Sequence, residues 1–150
     1  MIVLGSDHAG YSLKRKVIEY LEERGIEYTD VGADECERAE YPVFALKAAR
    51  LVTDGLADRG LLFCGTGMGM SIAANKVKGI RCVVGSEPYS AAMSRKHNDC
   101  NMLALGVRVI GEKMALAIVD TWLNTDFEGE RHQKRVDMIM EIQDTGGLEL

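Results

Sequence analysis

The chain has 150 residues, of which 47% are hydrophobic and 27% charged, as in a globular protein long enough to bury a core. Its formal net charge of -5 argues against a nucleic-acid or acidic-membrane partner, although a local basic cluster can still bind a phosphate. No run of about 20 apolar residues is present to span a bilayer, and the first ten residues show neither a basic region nor a cleavage-site pattern.

Apolar runs and amphipathic segments alternate along the chain. Residues 2–7 predict a buried strand, and residues 11–24 carry Leu13, Val17 and Leu21 on one face of a helix that Gly25 is suited to end. The same patterns continue to the C-terminal region. They predict strands at 26–32, 59–64, 80–84 and 101–106, and helices at 43–55, 68–77, 87–97, 111–124 and 129–143.

This alternation predicts one domain over residues 1–150 with a five-stranded parallel sheet covered on both faces, a doubly wound α/β fold. The last helix carries Val136, Ile139, Met140 and Ile142 and is followed by no strand. Either its own sheet or a second subunit must cover this apolar surface.

The cysteines are Cys36, Cys64, Cys82 and Cys100, and no two of them form a CxxC pair. A zinc site is therefore not expected, and free thiols in a cytoplasmic protein are the default interpretation. Cys82 fits a core position, whereas Cys36 lies in a polar stretch and is expected to be exposed.

A glycine-rich loop, CGTGMG, follows the third strand, and ligands of such folds bind beyond the carboxyl ends of the strands. Gly65, Gly67 and Gly69 allow a close backbone approach, and the helix behind them adds partial positive charge, so the loop suits an anion hole. A tight turn is the alternative. The GxGxG spacing matches neither a dinucleotide fingerprint nor a phosphate-binding P-loop.

Cys64 stands at the entrance to this loop. A helix N-terminus favours a thiolate, which acts as a base or a nucleophile, but a cysteine that ends an apolar strand also suits a core position. The adjacent anion hole favours the functional interpretation without excluding the other.

Two further segments, SDHAG and SRKHNDCN, are expected at the same edge of the sheet, with the loop around Tyr41. Asp7 and His8 suit ligand contact, although Asp7 can instead cap the next helix. His97 suits a general acid or base, although it can instead bond the last carbonyls of its helix.

Arg131 and Arg135 are spaced i, i+4 and repel each other unless an anion lies between them; Glu128 and Glu130 are alternative partners. Arg108 interrupts an apolar run and also needs an anion. Together, the arginines, the glycine-loop anion hole, Cys64 and His97 suit a site that binds a small sugar phosphate and acts on it without a cofactor.

The segments GSDHAGYSLK, CGTGMGMSIAANK, 79–111 and RHQKRV resemble the ribose-5-phosphate isomerase B family over essentially the whole chain. The group includes isomerases of allose 6-phosphate and galactose 6-phosphate. The resemblance implies a Rossmann-like three-layer αβα sandwich, a homodimer or dimer of dimers, and aldose–ketose isomerisation without metal or nucleotide.

The resemblance also implies roles for individual residues. Cys64 would move the proton between two carbons, because Met70 is apolar where family members that lack this cysteine carry a glutamate. His97 would open the furanose ring with Asp7 and Thr66 as helpers. The implied substrate-binding residues are the backbone of Gly65, Gly67, Met68 and Gly69, the pocket residues Tyr41, Ser71, Asn75 and Asn98, and the phosphate ligands His8, Arg108, Arg131 and Arg135.

In this family the site is shared by two subunits, so His97, Asn98 and Arg108 are expected to face Cys64 of the partner subunit. Two other functions fit less well. A sugar-phosphate sensor needs neither Cys64 nor His97, and a nucleotide-binding module needs its glycine loop after the first strand rather than the third.

Overall fold

The computed structural model describes residues 1–34 and 38–149, so Cys36 lies outside the described residues. Five strands form one parallel sheet in the order β2-β1-β3-β5-β4. This result confirms the predicted α/β class and the five-stranded parallel sheet. The strands are β1 (Ile2–Ser6), β2 (Tyr28–Asp30), β3 (Arg59–Cys64), β4 (Cys82–Val84) and β5 (Met102–Gly106).

Helices cover both faces of the sheet. On one face, α1 and α5 pack on a core that includes Leu4, Phe63 and Trp122. On the other face, α2 and α3 pack on a core that includes Leu62 and Met70, because side chains alternate across each strand. The helices are α1 (Tyr11–Glu23), α2 (Tyr41–Thr53), α3 (Met68–Ala74), α4 (Pro88–Asn98), α5 (Glu112–Leu123) and α6 (Arg131–Thr145).

None of the helices described has the length and apolar character needed to cross a membrane.

The last helix, α6, packs against α4 rather than across the sheet. Val136 is buried, but Ile139 and Ile142 remain 43% and 46% exposed. The chain's own sheet therefore does not cover Ile139 and Ile142.

The turn between β1 and α1 crosses the end of β3 at very short range. The Asp7 N–H donates to the Phe63 carbonyl (3.2 Å), and a Cβ atom at Gly10 would lie 2.2 Å from that same oxygen. The neighbouring atoms belong to the backbone of a central strand, so they cannot move aside. Only glycine fits at position 10, and this contact fixes Asp7 beside Cys64.

We predict that Gly10→Ala destabilises the protein by about 3 kcal/mol or more, because the added methyl group overlaps the β3 backbone. Gly111→Ala is the matched control, since a Cβ atom there meets nothing within 4 Å. Its effect should stay within about 1 kcal/mol. Urea unfolding followed by circular dichroism measures both, and equal stability of the two variants would contradict the close approach.

Candidate active site

The carboxyl ends of β1, β3 and β5 meet at one edge of the sheet. Here the N–H of Val107 donates to the Cys64 carbonyl (3.0 Å), and the N–H of Arg108 donates to the Gly65 carbonyl (3.0 Å). The segments after the three strands are therefore tied together by backbone hydrogen bonds. Asp7 and His8 join them from β1, so several predicted site residues lie at this edge.

The glycine loop presents free backbone donors. The N–H groups of Gly65 and Thr66 have no hydrogen-bond acceptor in the described part of the chain. Gly67 adopts φ +80, and α3 begins directly after it, which adds the positive end of a helix. A Cβ atom at Gly106 would lie 2.5 Å from the Thr66 backbone, so β5 supports the loop closely from behind. This arrangement suits an anion hole rather than a plain turn.

Cys64 is only 5% exposed and sits between the core and the loop. Its Sγ accepts a hydrogen bond from the Gly67 N–H at 3.1 Å. The sulfur is thus held against the backbone donors of the loop. The core and reactive interpretations are thus not exclusive, because the side chain packs beside Met70 while its sulfur faces the loop amides.

The remaining predicted pocket residues near Cys64 divide into two groups. A Cβ atom at Gly69 would lie 2.8 Å from the Tyr41 ring, so that ring covers the loop, and Thr66 and Met68 are exposed there. Ser71 and Asn75 instead bind the β4 backbone. The Asn75 side chain donates to the Cys82 carbonyl and accepts from its N–H, both at 2.8 Å, and Ser71 donates to the same carbonyl at 3.3 Å.

Asp7 has a partner inside its own turn, since its carboxylate accepts from the Gly10 N–H at 2.9 Å. This bond supports the capping alternative, although α1 itself begins only at Tyr11. His8 is exposed at the same edge. Asp7 and His8 therefore flank the entrance to the glycine loop, with Asp7 held and His8 free to reach a ligand.

Arg108 lies against the glycine loop of its own chain. Its Nη1 would be 3.0 Å from a Cβ atom at Gly65, and it pairs with no acid in residues 1–34 and 38–149. The turn after β5 therefore brings this arginine to the glycine loop of its own chain, whereas the resemblance implies that it faces Cys64 of the partner subunit.

His97 and Asn98 lie at the opposite edge of the sheet, so the expectation that SRKHNDCN joins the other loops is wrong. Helix α4 leaves the carboxyl end of β4 and returns to the amino end of β5. A strand of five residues spans roughly 17 Å, which separates His97 from Cys64 of the same chain. Arg131 and Arg135 are with His97, because α6 packs on α4.

This second cluster is held rigidly. Arg95 is 5% exposed and donates to the Asp99 carboxylate (2.8 Å) and the Cys100 carbonyl (2.6 Å). Arg81 donates to the Asp99 carbonyl at 2.8 Å. Asp99 adopts φ +45 and ends α4, so these two arginines fix the helix end that carries His97.

His97 does not bond the last carbonyls of its helix but stacks on His132, a contact that the sequence analysis missed. The ring centroids are 4.2 Å apart and the planes differ by 10°. Burial, His97 and two arginines lower the pKa of His132, and Glu128 opposes them. Nitrogen lone pairs lie in the ring planes, so two parallel rings do not converge on one metal ion, although Glu128 is also near.

Comparisons with known proteins agree with this architecture. Residues 2–139 match a family model described as Ribose/Galactose Isomerase. Ribose-5-phosphate isomerase B of Escherichia coli K12 is 52% identical over 142 residues, which is 95% of each chain. D-erythrulose-4-phosphate isomerase of Pectobacterium atrosepticum is 42% identical over 92% of this chain and 91% of its own length.

Solved structures of ribose-5-phosphate isomerases B are also similar to this chain. Ribose-5-phosphate isomerase B of Clostridium thermocellum is 53% identical, with a TM-score of 0.95 over 97% of this chain and 99% of its own. The Mycoplasma genitalium enzyme, solved with bound ribulose 5-phosphate, is 36% identical, with a TM-score of 0.90 over 96% of both chains.

We predict that iodoacetamide at pH 8 modifies Cys64 while Cys82 and Cys100 stay unmodified. Burial raises the pKa of Cys82 to about 12 and that of Cys100 to about 11. About one molecule in ten thousand and one in a thousand then carries a thiolate at those sites at pH 8. Because thiolate increases as pH rises toward these values, both should react only at much higher pH.

Peptide mapping by mass spectrometry in a Cys36→Ser background measures the three rates separately. Modification of Cys82 or Cys100 at the rate of Cys64 would contradict the prediction.

Proposed function

The chain belongs to the ribose/galactose isomerase family, and we propose that it interconverts ribose 5-phosphate and ribulose 5-phosphate in active sites shared by two subunits. The observation that best supports this function is the position of the Cys64 thiol. Its sulfur accepts a hydrogen bond from the Gly67 N–H of the glycine loop, and the N–H groups of Gly65 and Thr66 in the same loop have no acceptor in the described part of the chain. An aldose–ketose isomerase needs a base next to donors for an enediolate, and this edge of the sheet supplies both.

In the proposed reaction, the Cys64 thiolate removes the proton from C2 of the open-chain aldose. The electron pair moves to the carbonyl oxygen, and the resulting enediolate oxygen accepts from the N–H groups of Gly65 and Thr66. The thiol returns the proton to C1, while the O2 hydroxyl proton passes to O1, which gives the ketose. Loss of one such donor typically slows an enzyme about 100- to 1,000-fold.

Ring opening precedes this step, because ribose 5-phosphate is mainly a furanose. The O1 hydroxyl loses its proton, the bond between C1 and the ring oxygen breaks, and the ring oxygen gains a proton. We assign this exchange to His97, with Asp7 and Thr66 as helpers. Since His97 lies a strand length from its own Cys64, we assign the role to His97 of the partner subunit.

A two-fold dimer brings the two clusters together. A two-fold axis perpendicular to the strands places the amino edge of one sheet beside the carboxyl edge of the other. The α3 and β4 side has apolar residues available for such an interface, with Met68 and Ile72 about 60% exposed. The α6 residue Ile139 borders the same side, in the groove beside Cys82, and Ile142 is also uncovered.

The phosphate clamp is divided in the same way. Arg108 and His8 lie with Cys64, whereas Arg131 and Arg135 come with His97 from the partner subunit. None of the three arginines pairs with an acid in the described part of the chain, so their charge is available to a phosphate. We also propose that residues 1–150 form a single domain in the cytoplasm, where the thiols of Cys64, Cys82 and Cys100 stay reduced.

The experiment that tests this function is turnover of ribose 5-phosphate with EDTA present and no added cofactor. Allose 6-phosphate, galactose 6-phosphate and erythrulose 4-phosphate are tested in parallel, because relatives act on sugars of different length. We expect the highest kcat/KM for ribose 5-phosphate. Preference for another sugar changes the substrate but keeps the chemistry, whereas binding without turnover of any would favour a sugar-phosphate sensor.

Complementation between two inactive variants tests the shared site. We predict that Cys64→Ala and His97→Asn each lose nearly all turnover of ribose 5-phosphate. Mixed subunits form heterodimers in half of the dimers, and each heterodimer has one intact and one doubly altered site. Activity should therefore return to about one quarter of the wild-type value.

The control is each variant taken alone through the same unfolding and refolding, which should restore nothing. No recovery in the mixture would show that Cys64 and His97 act within one chain and would contradict the shared site.

A further inference from the structure

We propose that His132 is a positioning residue for ring opening, a flat buried ring that holds the His97 ring in its working orientation. The proposal rests on the proposed function, since it concerns the same site. Its basis is geometric: the two rings face each other at 4.2 Å with planes 10° apart, and His132 is 4% exposed.

The stack is anchored from several elements. Its two rings come from the last turn of α4 and the first turn of α6. The Glu128 N–H donates to the Lys96 carbonyl (3.0 Å), which ties the segment before α6 to the helix end that carries His97. The Glu128 carboxylate lies 3.6 Å from Nε2 of His132 and 3.8 Å from Nζ of Lys96. Sequence separation alone could not suggest this assembly.

The charges around the stack favour a neutral His132. Arg131 and Arg135 on α6 and His97 on α4 oppose a positive charge there, and burial opposes it further, while Glu128 favours it. Nε2 of His132 is buried without a hydrogen-bond partner in the described part of the chain. A neutral ring tolerates this environment far better than an imidazolium does.

A neutral His132 ring can assist the ring-opening step. During ring opening, the proton of the O1 hydroxyl passes to the His97 imidazole, and the imidazolium then protonates the ring oxygen. The π face of His132 lies against this transient cation, and the Glu128 carboxylate is close to both rings. His132 also fixes the side-chain rotation of His97, which is itself only half-buried. The lowered pKa of His132 favours a neutral ring, which does not repel the proton that His97 carries.

The test compares His132→Ala with His132→Phe, which restores a flat ring that cannot be protonated. Gln133→Ala is the control, because this neighbouring side chain only donates to Asp137 on the exposed side of α6. We expect kcat/KM for ribose 5-phosphate to fall about 10- to 100-fold in His132→Ala. His132→Phe should recover to within about fivefold of wild type, and Gln133→Ala should not change. Equal losses in the Ala and Phe variants would overturn the proposal.

A second readout separates ring opening from proton transfer. Ribulose 5-phosphate cannot close a five-membered ring, since its C5 oxygen carries the phosphate. Exchange of its C1 hydrogen with deuterated solvent therefore needs Cys64 but not His97. In His132→Ala, His132→Phe and Gln133→Ala, the rate of C1 hydrogen exchange measured by ¹H NMR should lie within about twofold of the wild-type rate. A parallel loss of exchange and turnover would indicate a general structural defect and overturn the assignment.

A double-mutant cycle tests whether His132 acts through His97. In a His97→Asn background, His132→Ala should cause no further loss of kcat/KM, because the residue it positions is absent. A full additional loss would mean that His132 acts independently of His97, which contradicts the proposal.

A third readout needs no catalysis. The chain has three histidines, so their ring signals can be assigned by substitution. We expect cross-relaxation between the His97 and His132 rings, and we expect His132 to stay neutral to a lower pH than a free histidine does. Absence of cross-relaxation overturns the stack, and a His132 that becomes protonated at or above the pH of a free histidine overturns its role as a neutral ring. If wild type lacks both turnover and exchange, the proposed function fails while this measurement still decides the stack.

Discussion

The uniform direction of the strands is the constraint on which the site depends. In a parallel sheet every strand ends at one edge, and every returning helix ends at the other. Cys64 ends a strand, and the glycine loop and Arg108 follow strands, whereas His97 and Asn98 end a helix. A strand length therefore separates the thiol from the histidine in each chain. In the proposed reaction, which uses both groups, the partner subunit supplies a second sheet that runs in the opposite direction.

Close backbone packing fixes the geometry of the sheet edge that holds Cys64. The turns after β1 and β5 press on the β3 end and on the glycine loop, at distances that admit no Cβ atom at Gly10 or Gly106. The buried Lys14 braces the same edge from α1, because its ammonium group binds the Asp30 carboxylate (2.8 Å) and the Ala33 carbonyl (2.9 Å). A buried ion pair of this kind contributes geometry more than stability. The free amides of the loop are consequently fixed before any ligand arrives, as an anion hole requires.

Local sequence patterns were sufficient for the sheet but not for the site. Each predicted strand and helix exists, and the errors are at the ends: β2 covers Tyr28–Asp30 rather than 26–32, and Tyr41 begins α2 rather than preceding it. Periodicity reports which segments are buried, and it carries little information about where hydrogen bonding stops. The expectation for SRKHNDCN was wrong because the segment was assigned to an edge by its polar composition, although it precedes a strand. The His97–His132 stack joins two helices across more than thirty residues, and no local signal marks such a contact.

In the proposed reaction, the two halves of the shared site carry different kinds of group because they act on different parts of the sugar. The Cys64 half holds the reacting carbon, and its thiol and amides act on bonds that change during isomerisation. The other half holds the cations of Arg131 and Arg135 and the stacked histidines, which act on the phosphate and on the ring form of the sugar. A lone subunit would keep the base but lose most of the binding energy that the phosphate supplies. Since enzymes use binding of remote groups to position the reacting atoms, that subunit would lose rate as well as affinity. In the dimer that we propose, subunit association is then a step in building the transition-state complex, and the exposed apolar residues of α3 and α6 are the surface we assign to it.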